Sequence, residues 1–473
     1  MTTGEFGGAG ASLEQKAIDD LRARLRGELV LPGGAGYDDG RSIWNGMIDR
    51  RPAAIVRARG VADVVTGLRF AREHGLPLTI KGGGHNIAGL AVTDGGLMLD
   101  MSLMRGVWVD PSARTARAQA GALLGDVDRE TQLHGLAAVL GFVSATGIAG
   151  LTLGGGFGYL TRRYGWTSDT VLSMDVVTAD GRLVRASEKD NPDLFWGLRG
   201  GGGNFGIVTS FEYRLYPVGP EVVGGLIAWR LEDAPAVLEM YRALVKDAPP
   251  ELTVAAVLRK APPAPWLPAE VHGQPIIALV VCHTGSPAQA EADVAPIKAF
   301  GSRVGDIVVR RPYAVQQSIL DATQPSGRRY YWKSEYLPGV EADILPRAIE
   351  HAAHMVSPQS AVILFPIDGA LNRLPEEHSP VGNRDARTVL NITASWDKAE
   401  ADAANVAWAR GAWEDMRRFS TGGTYVNFQT ADEGDDRVRA AYRKNHDRLV
   451  DVKTHWDPEN VFRMNKNIVP RES

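Results

Sequence analysis

Leu76-Pro77-Leu78-Thr79-Ile80-Lys81-Gly82-Gly83-Gly84-His85-Asn86 carries the chain from an apolar run into three successive glycines and then a histidine. Leu78-Thr79-Ile80 reads as a short buried strand. The glycines let the backbone approach a neighbour closely and adopt positive φ at no steric cost. The histidine is therefore presented at a fixed point on a rigid turn. Its imidazole could serve as a base, a metal ligand or a nucleophile.

Outward from this turn the pattern alternates between strand and helix. Upstream, Ala54–Ala58 reads as a strand and Val61–Glu73 as an amphipathic helix, while Leu13, Ala17, Leu21 and Leu25 predict a helix over 13–28. Downstream, short strands are predicted at Gly96–Asp100, Gly106–Asp110 and Arg114–Ala120, and a helix at Leu123–His134 that stops at Gly135. Leu172–Thr178 and Leu183–Arg185 flank Asp180-Gly181, a strong hairpin signal. Between about 221 and 420 the style changes. Longer strands (Val222–Trp229, Leu252–Leu258, Ile276–His283, Ala361–Pro366, Thr388–Ser395) alternate with helices at Ala234–Lys246, Ala288–Phe300, Ile344–Ala353 and Asp397–Phe419. That combination predicts an antiparallel sheet with helices on one face. The last fifty residues return to the first style, with an amphipathic helix around Arg437–Val450. The expected fold class is α+β: a first unit at 1–220, an inserted unit at 221–421, and a C-terminal segment, 422–473, that rejoins the first.

Composition narrows the function. The 473 residues carry 52 Lys and Arg against 56 Asp and Glu, a net charge of −4, with no long run of like charge. No nucleic-acid or membrane-surface partner is expected from that balance, and Arg22-Ala23-Arg24 reads as a solvated helix face. The one cysteine, Cys282, sits in an apolar strand and reads as a packed, inert thiol. No histidine pair has metal-ligand spacing, so no metal is expected; Glu130 and His134 read as an exposed pair. With no run long enough to span a membrane and no signal-like N-terminus at Met1–Phe6, a cytoplasmic location is the expectation.

Two further glycine clusters stand out. Gly201-x-Gly203-x-x-Gly206 matches the dinucleotide fingerprint literally, but it precedes a strand (Ile207–Tyr213) instead of following one and opening a helix, so it is not a nucleotide loop of that kind. Gly147-Ile148-Ala149-Gly150 leads into Gly154-Gly155-Gly156-Phe157-Gly158. Such density predicts backbone N–H groups facing a ligand, a pyrophosphate or an oxygen-rich ring, with tight packing as the alternative.

Together these segments resemble the flavin-linked oxidases of the vanillyl-alcohol oxidase superfamily, in the berberine-bridge-enzyme-like branch and nearest its bacterial 6-hydroxy-D-nicotine-oxidase-like members. The resemblance spans nearly the whole chain. It rests on Arg51–Val56, Lys81–Asn86, Gly147–Gly158, Asn191–Trp196, Gly203–Val208, Tyr425-Val426-Asn427 and Asp457–Phe462, in that order. It implies a PCMH-type FAD-binding domain of two α+β subdomains, with the inserted sheet as substrate domain. By resemblance His85 bonds covalently to the FAD, and the cofactor is further held along Lys81, Gly82, Gly83, Gly84, Asn86 and Gly89. Thr146, Gly147, Gly150, Gly154, Gly155, Gly158, Gly206, Val208, Tyr425 and Asn427 complete the implied cofactor set. Val143 stands where many relatives carry a second, cysteine attachment, so a single link is implied. The resemblance implies that Thr146 faces the ring where oxygen reacts; it is small enough to leave oxygen access open, and polar as in members that act as oxygenases. Tyr425 is implied as a base in some members, but a phenol of pKa about 10 needs a neighbouring cation to act near pH 7. Lys333 is the candidate partner, with an amphipathic strand as the plain alternative reading of Tyr330–Tyr336. Asn383 replaces a histidine frequent in relatives. The implied activity is hydride transfer from a small organic substrate to flavin, with O2 reduced to H2O2. A flavin-dependent monooxygenase or oxidative cyclase is the alternative.

Overall fold

The computed structural model describes residues 13–472. Near its start, Ala54–Arg57 and Leu78–Lys81 both pair in parallel with Leu97–Asp100, which lies between them. The helix Val61–Glu73 makes the crossover, burying Val64, Leu68 and Ala71 against these strands. Asp63 on that helix is buried and accepts the N–H groups of Arg26, Gly27 and Arg59, tying the preceding loop down. The first helix is shorter than its periodicity suggests, Gln15–Arg24. Leu25 turns extended, and Glu28–Val30 adds antiparallel to Ala54–Arg57 as the fourth strand. Sheet pairing outcompetes continued helix there.

A second, five-stranded antiparallel sheet follows, in the order Val107–Asp110, Thr115–Gln119, Ile207–Arg214, Val171–Val177, Leu183–Ser187. The last two form the Asp180-Gly181 hairpin, with Gly181 at φ +81°. Both sheets and the C-terminal helices Asp435–Tyr442 and His446–Trp456 share one hydrophobic core. Those two helices replace the single one expected around 437–450; Arg443, at φ +46°, breaks the chain between them.

Eight strands between Glu221 and Trp396 form the third sheet, antiparallel throughout. Its strand Arg329–Leu337 pairs with Thr388–Trp396 over nine residues. Strand alternation sends successive side chains to opposite faces. One face carries Leu252, Val254, Ala256, Leu279, Val281, Leu390 and Ile392, packed beneath the helices Ala234–Asp247, Ile344–Ala353 and Asp402–Met416. The last starts at Asp402, five residues beyond the expected start; Ala399–Ala401 is a single 3-10 turn. The other face carries Ala255, Val257, Val280, Cys282, Phe365 and Val389, packed on Phe142, Phe157, Trp166 and Tyr425 from the flanking segments. Cys282 is fully buried there, and burial pushes its thiol up to about 12. Among the described residues no helix is long and apolar enough to cross a membrane, and no group of His, Cys, Asp and Glu could hold a metal ion.

Candidate active site

Gly83 and Gly147 meet backbone to backbone. A Cβ on Gly83 would stand 2.4 Å from the Gly147 nitrogen, and one on Gly147 would stand 2.3 Å from the Gly83 nitrogen. Glycine is required at both because each is the other's neighbour. This contact lays the 82–85 turn on the Ala145–Gly147 segment, and the His85 ring forms a hydrogen bond with the Ala145 backbone. Burial lowers the His85 pKa to about 4, outweighing that hydrogen bond, so the imidazole is neutral at pH 7. Trp44 stacks on the ring, centroids 5.3 Å apart, and also lies flat against Tyr330 at 3.7 Å. The backbone N–H groups of Gly82, Gly83, Gly84 and His85 find no acceptor among the described residues. A Cβ on Gly150 would point into open space.

The second glycine cluster closes around Tyr425 and Asn427. The Tyr425 hydroxyl accepts the Gly156 N–H (3.1 Å) and the Asn427 side-chain N–H (3.0 Å). Asn427 lies flat on Gly154, where a Cβ would sit 2.2 Å from its Oδ1, and it also donates to the Leu151 carbonyl. The Tyr425 ring is buried, edge-on to Phe157 and Phe428 and parallel to Trp166. Burial pushes its pKa up to about 12, although both N–H donors pull the other way.

Lys333 does not stand beside this phenol. Strand alternation places Tyr331, Lys333 and Glu335 on the helix-covered face, whereas Trp332 and Tyr336 face Phe428 and the Tyr425 cluster. Lys333 Nζ is buried and answered by Thr430 (3.1 Å), Asp432 (3.2 Å) and Glu433 (3.3 Å). The segment is a strand, as the plain reading has it, but one covered on both faces and not amphipathic, and the cation that a Tyr425 base would need is not supplied by Lys333.

Several other implied cofactor residues also have packing roles in the fold. Lys81 donates to the carbonyls of Gly40 and Ser42. Asn86 Oδ1 accepts the Leu90 N–H in a tight turn. A Cβ on Gly89 would strike Ile48, one on Gly206 would strike Val176, and one on Gly158 the Leu140 carbonyl. Gly155 lies at φ +108° against Val381. Val208 is buried in the five-stranded sheet. Tight packing accounts for the glycines at 89, 158 and 206. Asn383 is buried at φ +52° and donates to the carbonyls of Val381 and Ala441. Thr146 accepts the Leu124 N–H through its carbonyl and keeps part of its surface open. Trp44, Trp332 and Phe428, which surround the site, are not marked by any local motif: Trp44 meets Tyr330 across a long sequence separation, where Asn45 binds both the Ile87 and Tyr330 carbonyls and the Trp44 indole donates to the Gln324 carbonyl.

A histidine turn laid on a second glycine turn, between two small α+β sheets and a large third sheet, defines a PCMH-type flavin-binding architecture. Residues 52–187 match the family described as FAD binding domain, and 424–469 the one described as berberine and berberine like. The chain is 31% identical to (R)-6-hydroxynicotine oxidase of Paenarthrobacter nicotinovorans, over 95% of this chain and 98% of the relative. It is 29% identical to the xylooligosaccharide oxidase of Thermothelomyces thermophilus, over 97% and 95% of the two chains. The crystal structure of 6-hydroxy-D-nicotine oxidase from Arthrobacter nicotinovorans superposes with a TM-score of 0.83 at 28% identity, covering 94% of this chain and 98% of that one. The chain belongs to the berberine-bridge-enzyme-like FAD-linked oxidoreductases and is an oxidoreductase.

Proposed function

We propose that the protein is an oxidase that holds FAD through a single covalent link at His85, dehydrogenates a small organic molecule and passes the electrons to O2, giving H2O2. In this reading 1–220 and 422–473 hold the flavin and 221–421 the substrate. The observation that carries it is the His85 turn. Its imidazole is neutral, so a ring nitrogen keeps the lone pair that attachment requires, and its flanking N–H groups are free to donate. Free backbone donors beside an open Gly150 suit an anionic cofactor. The sole cysteine is buried in the third sheet, and Val143 stands where a second link could form, so one attachment is the expected number.

When bound, FAD supplies a hydride-accepting ring and the means of its own reoxidation by oxygen. The chain supplies position and exclusion of water. His85 would hold the flavin, Trp44 backs the histidine, and Asn427 and Tyr425 hold the 154–156 turn. Tyr425, protonated at pH 7, serves this reading as a clamp and not as a base. The relatives named above as oxidases act on small molecules, which supports a substrate of that size here.

Acid precipitation of the purified protein tests the link: the yellow colour should stay in the pellet. In the His85→Ala variant it should pass to the supernatant. Colour lost from the native protein would sink the proposal. Oxygen-18 gas separates the oxidase from an oxygenase, because the label enters the organic product only in the second case.

A further inference from the structure

On the face of the eight-stranded sheet directed at Tyr425 and Phe428, one transverse row runs Arg259, Ala361, Thr393, Trp332, each residue directly opposite the next on neighbouring strands. Directly opposed residues in antiparallel strands share a face. Trp332 is edge-on to Phe428 (5.0 Å) and to Trp44 (5.3 Å), and Trp44 stacks on His85. The row therefore leads from the His85 side of the site to Arg259, with two small residues between the large ends. With strands about 4.8 Å apart, Arg259 and Trp332 are separated by roughly 14 Å at the backbone, a span that an arginine side chain half crosses.

Arg259 has no carboxylate partner among the described residues; its only side-chain hydrogen bond there is from Nε to the Lys260 carbonyl (3.2 Å). The charge of Arg328 acts on it, and Arg328 itself pairs with Asp397 at 3.1 Å. Burial and the Arg328 charge bring the Arg259 pKa down to about 10, so it remains a cation at pH 7. The same face is short of partners elsewhere. Trp332 Nε1, Asn391 Oδ1 and Ser395 Oγ are buried without a hydrogen bond. Arg259, Ile363 and Trp332 nevertheless keep part of their surface open. A half-buried cation with no counter-ion favours an anion that can reach it, and a guanidinium matches a carboxylate with two parallel N–H donors. Ile363 and Trp332 offer an apolar bed beside it.

We propose that the substrate carries a carboxylate on an apolar body, and that Arg259 binds that carboxylate at the end of the site remote from His85. The proposal rests on the flavin reading above and narrows its substrate class.

Titration calorimetry on the holoenzyme with benzoate and with benzamide, alike in shape but unlike in charge, tests it. Benzoate should bind at least about tenfold more tightly than benzamide, the scale of a charge-assisted pair. Arg259→Gln should abolish that preference without weakening benzamide, and Arg259→Lys should keep part of it. Equal or undetectable benzoate binding by the native protein overturns the proposal, as does a preference that survives Arg259→Gln. Flavin retention is read separately from the acid pellet. Colourless pellets with the benzoate preference intact fail the flavin reading alone; yellow pellets without it fail this one alone.

Discussion

The two faces of the eight-stranded sheet are made by alternate residues of the same strands, yet they treat their polar groups in opposite ways. Toward the helices, Lys333 is met by Thr430, Asp432 and Glu433, and Glu335 by Trp413, Ser420 and Arg437. Tyr331 and Arg410 both close on Asp432. Toward the candidate flavin site, Arg259, Trp332, Asn391 and Ser395 hold groups that nothing in the described protein answers. Desolvated polar groups are stabilising only when their partners are present. The first face is thus finished by folding, whereas the second has partners for Thr253, Ser334 and Thr393 but leaves these four side chains with open groups.

The largest effect should follow from breaking the finished face. Lys333→Met removes one of the two cations that meet the buried Glu433 carboxylate, leaving Arg437, and should cost about 1–3 kcal/mol in urea unfolding. The same variant should leave the pH profile of turnover in place; a shifted profile would return Lys333 to the active site. Tyr425→Phe comes next. It leaves the Gly156 and Asn427 N–H groups without an acceptor at a cost of about 1 kcal/mol. As a clamp, its loss should lower kcat less than about tenfold, whereas loss of a general base typically costs about 100-fold or more.

A pH titration resolves the finished face further. Burial raises the Asp432 pKa, but hydrogen bonds from Thr430, Tyr331 and Arg410 and the Lys333 charge outweigh it and hold the carboxyl well below the usual range. A depressed carboxylate stabilises above its unfolded value and loses that contribution as pH falls toward its folded value. Stability should therefore be flat from neutrality to about pH 4 and fall below it, and Asp432→Asn should flatten the fall. The smallest effect belongs to the unfinished face: Arg259→Gln should leave Tm unchanged or slightly raised, because no partner is stranded. A clear loss of Tm in calorimetry would mean that Arg259 is structural and that the two faces do not differ as stated.

Much of this was legible along the chain. The strand–glycine–histidine turn, the Asp-Gly hairpin and the change of style near 221 are local signals, and each appears in the structure. The rejection of the Gly201–Gly206 fingerprint held for the same reason, since a strand follows it. Harder to read were the contacts that glycine serves. Gly83 with Gly147, and Gly154 with Asn427, are separated by 64 and 273 positions, and glycine needed for a ligand is indistinguishable in sequence from glycine needed for a distant backbone. Arg259 gave no signal because an unpaired cation is defined by what fails to reach it.

The sequence by itself determined the elements, the position of the histidine and the family to which these motifs belong, because φ preferences, alternation and periodicity act over a few residues. Only the tertiary structure decided which face of Tyr330–Tyr336 meets Tyr425, and so removed Lys333 from its side. The physical reason is parity. A strand assigns its side chains to two faces, but the segments that pack on each face, here 402–416 on one side and 425–428 on the other, return from elsewhere in the chain and choose which face becomes the site.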